Sequence, residues 1–449
     1  MVQNRSALLL SLCGALLALP ACDGAEPKKA EPAAKETKSE AKAGDALIEC
    51  GTIEPSRDAL EGAPTEAILL SQAWFYKCLP ADKPTSKPKS KPGPARLQIW
   101  RKAGDQWKST NLEDADSNVF HKALLLEDGS ILTAAGEKAM LKKWTHEAGK
   151  WSSELLWEQS WGGKFNRLRD IEVGDVDGDG KDEYVIATHD GGVVAVLDPA
   201  EDGGKPTVIE LDAKADTFVH EIEIGDLEGD GKLEFFATPS DRNKANTSQA
   251  GLIVMYKYDG TTYQRTTVDG GDHTHAKEIL AADINGDGKS EFFSVLEAEL
   301  EGKTIKKPVE IRQYIPQEDG TFGHQSVATI NDRQTRFLVA ADFDGDGFKE
   351  LVAAAMKEGL FLIDGESAAD GAITWKEPVV FDRNSGGFEH AVLAKDLDGD
   401  GTVELYVAAD SQTELKRYDW DGEAKTFKRT KLGELEKLTF TWNIEVGKL

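Results

Sequence analysis

Five times between residues 175 and 404 the chain repeats nearly the same nine residues, with acids or amides at alternate positions and glycine at the fourth and sixth. The first copy places Asp175, Asp177, Asp179 and Glu183 around Gly178 and Gly180. The others supply Asp226, Glu228, Asp230 and Glu234; Asp283, Asn285, Asp287 and Glu291; Asp342, Asp344, Asp346 and Glu350; and Asp396, Asp398, Asp400 and Glu404. Carboxylates crowded this closely repel one another, so each copy calls for a compensating positive charge. Oxygen ligands at positions 1, 3 and 5, a backbone carbonyl at 7 and a carboxylate at 9 can wrap one calcium ion. The carbonyls would be those of Lys181, Lys232, Lys289, Phe348 and Thr402, giving about five Ca2+ sites. Glycine at positions 4 and 6 permits the left-handed turns that fold such a loop back on itself. An EF-hand fails the test, because it requires a bidentate Glu at position 12. That position holds Ile186, Ala237, Ser294, Ala353 and Val407, each inside a β-rich run.

The first aspartates of successive copies are 51, 57, 59 and 54 residues apart, and the intervals hold short β-rich runs punctuated by Gly, Asp and Pro. Four short strands per repeat predict the blades of a β-propeller. The DxDGDGxxE loop set in such a repeat resembles the FG-GAP and VCBS-type repeats of integrin-α-like propellers. The resemblance is clear over residues 160–420 and weaker over 65–160. The Phe-Gly and Gly-Ala-Pro elements are missing, which favours the bacterial VCBS-like branch. The expected fold is therefore all-β: a seven-bladed β-propeller with calcium-binding loops in five blades. Residues 47–160 are expected to form two metal-free blades, the acidic loop of the second shrunk to the tight turn Glu127–Ser130. Residues 161–436 are expected to form the five calcium blades. The last stretch, 437–449, contains "TFTWNIEVGKL", an echo of "RLRDIEVGD" at an innermost strand, and is expected to complete the first blade and close the ring.

Residues 1–21 carry one early charge, Arg5, then an apolar run and small residues, the anatomy of an export signal. "LPAC" ending at Cys22 resembles the lipobox of bacterial lipoproteins, which implies diacylglycerol on Cys22 and a location in the bacterial cell envelope, membrane-bound through that lipid alone. Residues 22–46 lack aromatic residues and are expected to be a disordered tether. Its reach is on the order of 80 Å. Cys50 and Cys78 form an even pair in an oxidising compartment and are expected to join as a disulfide. The formal charge of −27 argues against nucleic acid as a partner.

Aligned on the loops, the repeats show a second column. Six residues before each first aspartate stand Arg169, His220, Lys277, Arg336 and His390, with Lys122 at the same offset from Asp128 and Trp442 in the terminal echo. In a propeller this position begins the innermost strand, at the end opposite the metal loops. The column therefore predicts a basic, partly aromatic rim around the central channel, suited to an anionic or carboxylate-bearing group. The bland alternative is that these side chains pair with Asp170, Glu221, Glu278 and Glu389 and merely order the channel. His273 and His275 lie on a loop expected beside the same rim.

These features describe a calcium-stabilised binding module whose ligand is an envelope protein or glycan. A calcium-dependent polysaccharide lyase or hydrolase is the catalytic alternative. Against it, the chain has no Ser-centred nucleophile elbow, zincin helix or phosphate-cradling loop. An architectural subunit of an envelope complex is the third.

Overall fold

Each acidic loop is followed by an apolar run, such as Glu183–Thr188 or Glu404–Ala409, and each of these is the second strand of a four-stranded antiparallel sheet. The computed structural model describes residues 48–449 apart from 52, 80–86, 161–166, 201–203, 243–248, 273 and 370. The export signal, the tether with Cys22, and His273 lie outside the described residues. Among the described residues there is no helix, and hence none long and apolar enough to cross a membrane. Seven sheets stand around a ring. Their innermost strands, from blade 1 to blade 7, are Thr439–Lys448, Phe120–Leu125, Leu168–Gly174, Thr217–Gly225, Ala276–Ala282, Thr335–Ala341 and Val392–Lys395, each touching the next.

Beyond their first residue the second strands are mostly apolar, because both of their faces are covered. Val185 and Ala187 pack toward blade 4, with Val219 and Phe235, while Ile186 packs toward blade 2, with Leu132 and Leu141. Seven such clusters fill the seven gaps between neighbouring blades. Burying one Val, Ile or Phe there contributes about 1.5–3 kcal/mol. The core is thus a ring of wedges.

The inner strands face a channel, and their inward backbone groups need partners of their own. Acidic side chains provide them. Asp170 accepts the Ile222 N–H of the next blade at 2.7 Å, Glu223 that of Ala281 at 3.2 Å, and Glu278 that of Leu338 at 3.0 Å. Glu278 thus serves a backbone group.

The terminal strand closes the ring by pairing antiparallel with Glu66–Leu79, from Trp74↔Thr439 to Glu66↔Lys448. Half-buried Asp410 of blade 7 secures it, accepting the Thr441 N–H at 2.8 Å and its hydroxyl at 3.0 Å. Burial pushes the Asp410 carboxyl up to about 7, against an ordinary 3.8. For an acid raised in this way, the stabilisation is complete below the ordinary value and is lost as pH rises through 7. Asp410→Asn, which mimics the neutral acid, is expected to match the parent near pH 4. At pH 8 it should exceed the parent by roughly 4 kcal/mol in urea unfolding. Cys50 and Cys78 form a disulfide that ties the strand Ile48–Glu49 to the end of Glu66–Leu79.

Candidate metal centres and channel mouth

All five acidic loops fold alike. In the first, Asp175 accepts the Gly178 N–H at 2.7 Å and the Gly180 N–H at 2.9 Å, while Glu183 accepts the Val176 N–H at 3.0 Å. Asp226, Asp283, Asp342 and Asp396 make the same pair of bonds to their own glycines. Both glycines are left-handed in every copy, as at Gly178 (φ 78°) and Gly180 (φ 90°), where a side chain would be strained. The residues at position 7 donate their N–H groups to position 5, as Lys181 does to Asp179, Lys232 to Asp230, Lys289 to Asp287, Phe348 to Asp346 and Thr402 to Asp400. The loops also touch across blades: Ser290 N–H bonds the Asp226 carbonyl at 2.7 Å, and Lys349 N–H that of Ile284 at 2.9 Å.

Within this shared frame the carboxylates converge unequally. Oxygens of Asp342, Asp344, Asp346 and Glu350, of Asp396, Asp398, Asp400 and Glu404, and of Asp175, Asp177 and Glu183 each gather within 4.8 Å, close enough to hold one metal ion. The donors are all hard oxygens, as a calcium-type cation requires. Burial, reinforced by the neighbouring carboxylates, pushes Glu183, Glu291 and Glu350 up to about 7. A bound cation would remove that penalty.

Blade 4 differs. Its position 3 is Glu228, and Lys257 on the third strand places its ammonium 2.5 Å from Glu228 and 3.1 Å from Glu234. The ladder puts Lys257 beside Glu234, where blades 3, 6 and 7 carry Asp198, Asp364 and Asp419 and blade 5 carries Ile315. A cationic side chain thus sits where other blades add another acid. In blade 7, Arg417 reaches Asp398 at 3.0 Å and Glu404 at 3.3 Å. In blade 5 the Asn285 amide donates toward Glu291 at 3.3 Å.

At the opposite end of the channel, six of the seven inner strands carry a β-bulge, a device that re-aims a side chain. The bulges fall at Arg169, His220–Glu221, Lys277, Arg336–Phe337 and Trp442, all at or beside members of the sequence column, but in blade 2 at His121. Lys122 is therefore displaced from the rim. It lies deeper in the channel, 3.0 Å from Asp170 and bonded to Glu172, because the shortened turn of blade 2 shifts the offset by one residue. His390 is also displaced. It adopts a left-handed backbone (φ 61°), and its ring is bonded to Ser385 and the Ala355 carbonyl, leaving Glu389 to face Arg336.

The rim is not an exposed basic field. Arg169, His220, Lys277 and Arg336 are all buried. Burial holds His121, His189 and His220 neutral, their pKa values well below the usual 6.5, and takes His275 down to about 3. Burial, with Arg336 beside it, pulls Lys277 down to about 8. His121 and His189 were missed in the sequence. His189 belongs to a further column, six residues after each position-9 glutamate, together with Ser240, Glu297, Met356 and Asp410.

Fold and loops together define a seven-bladed β-propeller with acidic, metal-competent hairpin corners. A family model described as the FG-GAP-like repeat matches residues 175–237, so the chain carries an FG-GAP-like repeat. Comparison with curated protein sequences finds no match. Among solved structures, the chain is similar to an Agrocybe aegerita lectin described as recognising non-reducing terminal N-acetylglucosamine. That pair shares 13% identity over 86% of this chain and 96% of the other, with TM-score 0.51. A Pseudomonas aeruginosa periplasmic gluconolactonase is 12% identical over 84% and 99% of the two chains, with TM-score 0.50. A Bacteroides uniformis structure described as a candidate 6-phosphogluconolactonase is 14% identical over 86% and 100%, with TM-score 0.52. At these identities the likeness is one of fold.

Proposed function

We propose that this protein is a lipid-anchored binding module of the bacterial cell envelope. In this reading calcium staples the blades at one end, and an envelope protein or glycan is recognised at the other. The observation that carries it is the division of labour along the channel axis. Self-similar acidic loops occupy one end, and a ring of individually different, buried polar side chains occupies the other. A stapling role needs repetition, whereas recognition needs difference. Pull-down from envelope extract in calcium, with the parent chain and with Arg169→Ala and Trp442→Ala, tests it. A partner lost with both substitutions supports recognition. Equal capture by all three, or no partner at all, favours an architectural subunit instead.

Calcium at blades 3, 5, 6 and 7 and an internal ammonium at blade 4 make a separate prediction. Lys257→Met is expected to lower the melting temperature in EDTA below that of the parent by several degrees, because Glu228 and Glu234 lose their counter-charge. Millimolar calcium should restore most of the difference. Identical melts of the two chains in EDTA would show that Lys257 neutralises nothing.

A polysaccharide-active enzyme is the second reading, favoured by the buried Lys277 amine held at about 8 beside neutral histidines, a value suited to a general base. Cleavage of an acidic polysaccharide that disappears in Lys277→Met would establish it.

A further inference from the structure

The junction of blades 7 and 1 holds an open groove of about 500 Å³, within the range of small-ligand sites. It lies between the outer strands of the two blades. Lys102, Asp105 and Trp107 line it from the hairpin of Ala95–Ala103 and Gln106–Asp114. Arg417, Asp419 and Lys431 line it from Glu414–Asp421 and Thr426–Glu434. Half-buried Trp107 also packs against the apolar wedge between these blades. In a chain of formal charge −27, cations outnumber acids here. Lys102 is bonded to Glu66 at 2.7 Å and Lys431 to Glu434 at 3.1 Å.

Arg417 is different, because its partners have a second use. Its Nε donates to Asp419 at 2.6 Å, and its two terminal nitrogens reach Asp398 at 3.0 Å and Glu404 at 3.3 Å. Asp398 and Glu404 belong to one of the loops whose four carboxylates converge well enough to hold a metal ion. Arg417 is not a fixture of the repeat. The ladders put Val196, Met255, Gln313 and Leu362 at the same place in the other four blades with acidic loops. Asp398 and Glu404 cannot serve a divalent ion and a guanidinium at full strength together, since the two cations repel. With the loop loaded, Arg417 keeps Asp419, and its terminal nitrogens lose their counter-charge in a residue that lines a groove.

The lining says what would replace that charge. A guanidinium fork matches the paired oxygens of a carboxylate or phosphate. Trp107 supplies an aromatic surface for a ring. The Asp105 carboxylate, the Gln106 amide and the Thr430 hydroxyl line the same groove and suit the hydroxyls of a sugar. A bare inorganic anion would leave Trp107 unused, and an aromatic acid would leave these polar groups to water.

We propose that the groove between blades 7 and 1 binds an acidic saccharide, a sugar bearing a carboxylate or phosphate, once calcium occupies the blade 7 loop and Arg417 is released from it. The site is separate from the channel mouth, and it rests on the calcium reading of that loop.

The test is calorimetric titration of the full chain with D-glucuronate, glucose 6-phosphate, D-glucose and sulfate, in millimolar calcium and in EDTA. One of the two acids is expected to bind in calcium, with D-glucose and sulfate much weaker, and the tighter acid identifies the anionic group. EDTA should weaken that binding by about tenfold or more. Arg417→Met should abolish the calcium dependence, and Trp107→Ala should weaken binding in calcium. Asp400→Ala removes one loop ligand and none of the Arg417 partners. It should hold one calcium fewer by native mass spectrometry and bind the acid in calcium as weakly as the parent does in EDTA. Because its other loops stay loaded, this arm does not depend on overall stability. Equal binding with and without calcium, sulfate binding as tight as that of the acids, or no binding of either acid would overturn the proposal while calcium uptake still supports the staples. A chain that takes up no calcium would overturn both.

Discussion

Withdrawing divalent cations with EDTA is expected to lower the melting temperature by about 10 °C or more relative to millimolar calcium. The acidic loops carry the argument. Glu183, Glu291 and Glu350 are pushed up to about 7 by burial among other carboxylates, so the metal-free corners oppose folding near neutral pH. A ligand at a hundredfold excess over its dissociation constant stabilises the folded state by about 2.7 kcal/mol per site. Four sites would supply about 11 kcal/mol, worth roughly 1 °C or more per kcal/mol in a domain of this size. Magnesium should restore little, since it demands a smaller octahedral shell and gives up its water reluctantly. Melting curves in EDTA, in EDTA followed by excess calcium, and in magnesium measure this directly. Superimposable curves would mean that the loops are ordinary turns.

Removing residues 438–449 is expected to abolish the cooperative unfolding transition. That segment supplies the innermost strand of blade 1, and Ile444 and Val446 sit in the apolar wedge between blades 7 and 1. Without it, Glu66–Leu79 exposes an unpaired edge, Asp410 loses both its bonds to Thr441, and the gap between the first and last blades opens to water. A propeller has no hinge at which to absorb such a gap, because each wedge is held by both neighbours. Circular dichroism melting of the truncated chain should show a broad, non-cooperative loss of β signal. Adding a synthetic peptide of residues 437–449 in trans should restore part of the transition. A sharp melt within a few degrees of the parent would show that the ring does not depend on this closure.

Much of this architecture is local in sequence and was therefore legible there. The loop spacing, the glycines at Gly178 and Gly180 and the apolar second strands are all written within fifteen consecutive residues, and five copies make the pattern hard to mistake. Even ring closure showed, because the terminal segment repeats the wording of an inner strand. What escaped depends on pairing between distant residues. Nothing in "MYKYDG" reveals that Lys257 lies beside Glu234, since the register of the third strand is set by packing and by the hairpin that follows. The rim was misplaced by one residue in blade 2 for the same reason: the bulge at His121 is fixed against the strand Ile131–Ala135, whereas the alignment counted from the turn. Charge at the rim was misjudged because a sequence does not show burial. His220 reads as part of a basic rim and folds as a neutral ring.

The central claim is that cations, internal or bound, neutralise the hairpin corners. Native mass spectrometry of protein equilibrated with calcium tests it most directly. Four tightly held calcium ions per chain are predicted, rising toward five in Lys257→Met. A parent chain that carries none, while keeping its full melting temperature, would contradict the account.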